Sequence, residues 1–251
     1  MPTLDDLLAR AGRRLVGPLG FWHAAALEQL PEAAALGDPD AAARALTAAV
    51  KLYDLDVVVA APVEAVAWAV RGAGMPGAPV AAAAADHRAR RPLSAPPDVD
   101  AVATAPATGF LEGLVARLRT LTASGVHTAV AVPTAASLAA SLGPAVGEEW
   151  ADDAVGAVLR AVGAAEPDVV LRVGDGDRAG VVPGLCGFFD LALVEVLPGE
   201  SGPVSGPTGE EFVAGSPAAG RLVTTTTELP ATADPKEVAA RVRSLHAEGG
   251  R

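Results

Sequence analysis

His127-Thr128-Ala129-Val130-Ala131-Val132 runs between Gly125 and Pro133, and from Ala129 on it is apolar at every position. A strand wet on one face alternates apolar with polar side chains, whereas a continuously apolar run fits a strand covered on both faces. Just upstream, Leu111, Leu114, Val115, Leu118 and Leu121 recur at helical spacing within Gly109 to Thr122. A helix followed by a doubly covered strand is the building unit of a parallel sheet.

Working outward, similar β-branched runs lie at Leu15 to Phe21, Leu55 to Ala61, Asp168 to Val173, Leu191 to Val196 and Leu222 to Thr227. Helical patterns separate them. Asp38 at the N-cap and Pro39 at the first helical position open a helix expected to reach Lys51. Asp152 to Ala165 repeats Val155, Val158, Leu159 and Val162, and Asp234-Pro235 opens a last helix through Val238, Val242 and Leu245. Residues 72–108 and 198–220 break the rhythm with Gly, Pro and Ser and read as excursions. The expected fold is α/β: a single (β/α) TIM-type barrel over residues 1–251, with about six units where a closed barrel has eight. Either short strands hide in Val99–Thr104 and Val181–Pro183, or the barrel is incomplete and a homodimer covers its edges.

The chain has 251 residues, 51% of them hydrophobic, a formal net charge of −11 and one cysteine, Cys186. That is enough apolar surface for a sizeable core. A surface that tracks phosphates needs clustered Lys and Arg, and the one dense basic patch is His87-Arg88-Ala89-Arg90-Arg91, so nucleic acid is not an expected partner. No uninterrupted apolar run reaches about 18 residues, so no membrane association is expected. A lone thiol excludes an intrachain disulfide and a multi-cysteine metal cage; a cytoplasmic protein is expected. Gly174-Asp175-Gly176-Asp177 lacks the later ligands of a calcium loop and reads as a turn.

In a parallel barrel, chemistry gathers where strands end. Trp22 and His23 follow the first strand, Glu64 the second, Thr134 the third; Arg172 and Asp175 belong to the fourth, Glu195 to the fifth and Glu228 to the last. An imidazole with a carboxylate can move protons, and a guanidinium can hold a substrate acid group through two parallel hydrogen bonds. Each residue also has a bland role. His23 can satisfy a core hydrogen bond and Glu64 can charge the start of the helix holding Trp68. Arg172 can pair with Asp175, and Glu195 and Glu228 can be loop carboxylates. The basic patch is either a solvated loop or a lid that meets an anionic substrate.

Four segments carry a family resemblance: Phe21-Trp22-His23 through Leu30-Pro31-Glu32; Tyr53-Asp54-Leu55-Asp56-Val57-Val58-Val59; Phe110 to Leu142; and Thr226-Thr227-Glu228-Leu229-Pro230 followed by Asp234-Pro235-Lys236-Glu237-Val238. Their order resembles the uroporphyrinogen decarboxylase family, of which the chain looks like a divergent, shortened member. The resemblance implies a barrel with its site at the carboxyl ends of the strands. The family's substrate-binding arginines precede a Leu-Pro-Glu; anchored on Leu30-Pro31-Glu32, their positions hold Ala24 and Glu28, and no Arg lies between Phe21 and Ala43. Its catalytic Asp follows the second strand, where this chain reads Ala60-Ala61-Pro62-Val63-Glu64. Uroporphyrinogen itself is therefore not the expected substrate. The family's cobamide-linked methyltransferases hold zinc with His and Cys; this chain has no His-x-Cys pair, and no metal or cofactor is expected.

The resulting expectation is an acid–base lyase of the decarboxylase type, acting on a small polar or carboxylate-bearing metabolite. His23 transfers protons and Glu64 assists it, while Trp22, Thr134, Arg172, Asp175, Glu195 and Glu228 bind substrate. Two alternatives stand beside it: a non-catalytic barrel that partners another subunit, and a folate- or cobamide-linked methyltransferase.

Overall fold

All strand pairing among the described residues is parallel. The computed structural model describes residues 4–11, 13–175, 180–197, 204–216, 218 and 220–249. The chain begins with α1 (Leu4–Ala11), β1 (Leu15–Val16), α2 (Phe21–Leu27), α3 (Glu32–Gly37) and α4 (Pro39–Tyr53). It continues through β2 (Val57–Val59), α5 (Ala65–Ala73), α6 (Val80–Arg88), α7 (Val99–Ala103) and α8 (Pro106–Leu121). Then come β3 (His127–Pro133), α9 (Ala135–Leu142), α10 (Glu148–Gly163), β4 (Val169–Val173), α11 (Val181–Phe188) and β5 (Ala192–Val196). The last elements are β6 (Val204–Ser205), α12 (Gly209–Val213), β7 (Leu222–Val223) and α13 (Pro235–Gly249).

The strands form two sheets, ordered β2-β3-β4-β5 and β1-β7-β6. Their side chains sort by the strand period of two. Val57, Val59, Ala129, Ala131, Val169, Leu171, Val173, Val194 and Val196 share one core with Leu7 and Leu8 of α1. Val58, Val130, Val132, Val170 and Val223 face the other way and pack under the surrounding helices. Both faces are therefore dry, which is why the strand sequences read as unbroken apolar runs.

The edges of the two sheets meet on both sides. The Asp56 N–H donates to the Val16 carbonyl (3.0 Å), and the Asp56 carboxylate accepts the Val16 N–H (2.9 Å). Gly17 lies so close to β2 that a Cβ there would stand 2.4 Å from Val57 Cβ. On the far side Gly206, just after β6, packs against Val196 of β5, where a Cβ would come within 2.9 Å of Val196 Cγ1.

Several sequence expectations hold. Asp38 caps α4, accepting the Asp40 N–H, and α8 and α13 cover their expected stretches. Others change. The strands at both chain ends and β2 are shorter than their apolar runs. Pro18, having no N–H, ends β1 early, so Trp22 and His23 lie inside α2 rather than in a loop after a strand. Helix α10 starts at Glu148 rather than Asp152. The expected hidden strands are helical: Val99–Ala103 is capped by Asp98, and Val181 opens α11. Tertiary packing and a cap here override β-branched propensity. The excursion at 72–108 carries α6 and α7. Within 198–220, where residues 198–203, 217 and 219 lie outside the described set, the chain forms β6 and then α12, the latter opened by a reciprocal Thr208–Glu211 capping box. Asp177 also lies outside the described residues. Among the described residues no helix is long and apolar enough to cross a membrane.

Candidate functional site

The carboxyl ends of β1, β2, β3 and β7 converge on a cavity of about 150 Å³. Leu19 enters it after β1, Val63 and Glu64 after β2, Pro133 and Ser137 from the end of β3, and Thr226, Thr227 and Glu228 after β7. It adjoins a larger cleft of about 740 Å³ lined by Trp22, Trp68, Arg88 and Arg90. Glu64, His87 and Ser141 line both.

Glu228 is held from two directions. The backbone just beyond it is pinned by a bond from the Leu229 N–H to the Leu19 carbonyl (2.7 Å), and its Oε2 accepts the Trp22 N–H at the start of α2 (3.3 Å). Oε1 is shielded from solvent and has no hydrogen-bond partner. Burial, reinforced by the nearby Glu64 carboxylate, pushes the Glu228 carboxyl up to about 8, against the opposing pull of the Trp22 and Phe21 N–H groups. A proton thus stays on a carboxyl that faces the cavity at neutral pH.

His87 sits at the end of α6, and the segment after it is anchored from below. Arg71 of α5 is buried and donates to Asp86 (2.7 Å) and to the Arg91 carbonyl (2.7 Å), while Arg91 holds the other Asp86 oxygen (2.7 Å). Partial burial raises the Asp86 carboxyl, but hydrogen bonds and charge from Arg71 and Arg91 bring it below its ordinary value. Burial and the neighbouring Arg71, Arg90 and Arg88 cations push His87 below its ordinary value, so its ring is neutral at pH 7. Its Nδ1 is buried with no hydrogen-bond partner. Trp22 and Trp68 stand with ring centroids 6.0 Å apart and form an aromatic wall.

The sequence-predicted residues divide. Trp22, Glu64 and Glu228 line these cavities. His23 turns the other way: it is 2% exposed, lying 3.2 Å from the Pro230 carbonyl through Nδ1 and 2.8 Å from the Tyr53 hydroxyl through Nε2. A carbonyl only accepts, so Nδ1 carries the proton and Nε2 takes the tyrosine hydrogen. Burial lowers His23 from its ordinary value and raises the Tyr53 hydroxyl to about 12. Arg172 and Glu195 pair with each other, not across the cavity; register sets them opposite on β4 and β5, and Arg172 Nη2 and Nε lie 2.7 and 2.9 Å from the carboxylate. Their position in the strand period points them away from the core shared by Leu171, Val173, Val194 and Val196. Glu195, rather than the Asp175 expected from sequence, is the carboxylate that register places against Arg172. Thr134 caps α9, and its hydroxyl donates to the Asp175 carbonyl (2.6 Å), fastening β3 to β4. Asp175 is exposed, and only its backbone enters that contact. Sequence reading left out Trp68, Ser137 and Ser141 and did not assign His87 or Arg90 to the site. A basic cluster in so acidic a chain was the available signal. Among the described residues, no group of three or more His, Cys, Asp or Glu side chains is placed to hold a metal ion.

No family model matches the chain, and no curated protein matches it. Sixteen chains of solved structures do. One of them, a methyltransferase from Methanosarcina mazei, superposes with a TM-score of 0.63 over 99% of this chain and 99% of its own, at 13% sequence identity. At that identity the likeness is one of fold.

Proposed function

We propose that the chain is a single-domain (β/α) barrel resembling the uroporphyrinogen decarboxylase family, and that it is an acid–base enzyme acting on a small carboxylate-bearing metabolite. Closure into a barrel is supported by the two places where the sheet edges meet and by the full-length structural likeness. The observation that carries the activity is Glu228: a carboxyl kept protonated near neutral pH, facing a cavity at the strand ends. A general acid works best when its pKa lies near the working pH. Glu228 delivers the proton. Neutral His87, lining the same cavity, is the group able to accept one. Burial keeps Glu228 protonated, and Glu64, on the rim of both cavities, adds to it by charge repulsion. In this reading His23 holds α2 to α4 and takes no part in the chemistry.

The test is a panel of aliphatic and aromatic 2-oxo acids and dicarboxylic acids incubated with the protein in D2O and followed by proton NMR. The wild type is expected to accelerate proton exchange or carbon dioxide loss for at least one acid. Glu228→Gln is expected to cut that rate by about a hundredfold. An equal rate in Glu228→Gln, or no acid processed by the wild type, defeats the reading.

A second reading, methyl transfer, is favoured by what the structural neighbour is called. A methyl-donating corrinoid whose visible spectrum shifts on titration with the protein would support it over proton transfer.

A further inference from the structure

The cleft next to Glu228 has a composition that selects a ligand. We propose that it binds a planar aromatic or conjugated monocarboxylate, with the ring against Trp22 and the carboxylate on Arg90. This deepens the acid–base reading and rests on it for the chemistry, though not for the binding.

Three observations combine. First, the arginines around the cleft are unequally used. Arg71 and Arg91 share Asp86, and Arg88 holds Glu32 (2.5 Å). Arg90 lines the cleft, is exposed, and has no carboxylate partner among the described residues. Its backbone is in the left-handed region, φ 50°, a conformation that a non-glycine residue adopts at a cost. It lies within the stretch 86–91 that Arg71 fixes at both ends, through Asp86 and the Arg91 carbonyl. In a chain of net charge −11, an unpartnered cation at the rim of a cleft is a place for an anion. One guanidinium fork matches the planar two-oxygen face of a carboxylate.

Second, Trp22 and Trp68 line the same cleft, at 6.0 Å and 54°. Trp22 is half-buried and offers the open face; edge-on Phe21 at 4.9 Å and Trp68, itself 3% exposed, fix it from behind. A preformed indole surface favours a flat, polarizable body over a flexible aliphatic one. Third, His87 lines both this cleft and the smaller cavity that Glu228 lines, so a ligand held on Arg90 lies next to that cavity. The cleft of about 740 Å³ has room for such a molecule.

The probes are 2-naphthoate, cyclohexanecarboxylate and succinate, titrated calorimetrically and by tryptophan fluorescence at pH 7. Naphthoate is expected to bind at least tenfold more tightly than either aliphatic acid and to change the fluorescence. Arg90→Gln, an exposed change that keeps the fold, is expected to weaken it at least tenfold, and Trp22→Leu comparably, with circular dichroism checking that both variants are folded. Succinate binding as tightly as naphthoate overturns the ligand class. So does Arg90→Gln binding like the wild type, or no probe binding at all. Each of these outcomes leaves the Glu228-dependent exchange to be judged on its own assay. Conversely, tight Arg90-dependent naphthoate binding with no Glu228-dependent exchange supports the site and defeats the acid–base chemistry.

Discussion

Replacing Glu228 with Gln removes one titrating carboxyl while keeping an amide oxygen to accept the Trp22 N–H. Folding raises this carboxyl from an ordinary 4.5 to about 8, chiefly through burial and next through the Glu64 carboxylate. Because the folded value lies above the unfolded one, the folded state binds the proton more tightly. The contribution to stability is fully present below pH 4.5, declines as pH rises, and is lost once pH has passed about 8. At about 1.4 kcal/mol per pH unit of separation, this carboxyl alone removes on the order of 5 kcal/mol of stability across the window. Urea unfolding of wild type and Glu228→Gln at pH 5, 6, 7, 8 and 9 measures it directly. The wild type is expected to lose about 3–5 kcal/mol more than the variant between pH 5 and pH 9, with the variant the more stable at the alkaline end. Profiles that run parallel, separated by a constant, would refute the argument, because they would mean that Glu228 titrates alike in the folded and unfolded chain.

Tyr53→Phe deletes the hydroxyl that donates to His23 and should cost about 1 kcal/mol in urea unfolding without altering turnover; a loss of turnover on a folded variant would return His23 to the active site. Arg172→Leu strands the Glu195 carboxylate on the helix-facing side of the sheet and should cost about 3 kcal/mol, much of it recovered in Arg172→Leu/Glu195→Leu, as thermal unfolding can read. Asp38→Ala, removing the side chain that accepts the Asp40 N–H, should cost about 1 kcal/mol. Gly17→Ala would drive a methyl into Val57, where 2.4 Å is available, and should cost more than about 2 kcal/mol or force the β1–β2 junction apart, visible as a lower melting temperature.

Much of the site's frame follows from residues close together in sequence. Pro62-Val63-Glu64 after Val57–Val59 and Thr227-Glu228 after Leu222–Val223 both end near the cavity, because a parallel strand delivers its next residues to the carboxyl edge of the sheet. Glu64, Glu228 and Trp22 were legible for that reason. His23 was not, because one step along a helix rotates a side chain by about 100°, so the residue after Trp22 faces α4 and Tyr53 instead of the cleft. Arg172 depends on the same kind of local geometry: its neighbours Leu171 and Val173 occupy the inner core, so the period of two sends Arg172 outward, into register with Glu195. His87 and Arg90 were seen as a basic patch, but what carries them to the cleft is Arg71, sixteen positions before His87, gripping Asp86.

The chain's own order of apolar runs, caps and prolines set the alternation of helices with doubly buried parallel strands, since those depend on contacts a few residues long and on which faces must leave water. Whether a given polar side chain meets the cavity, a neighbouring strand or a helix was decided only by the packed structure. So was the stranding of a carboxyl's proton at Glu228, because burial and the distance between charges are properties of segments brought together from far apart in the sequence.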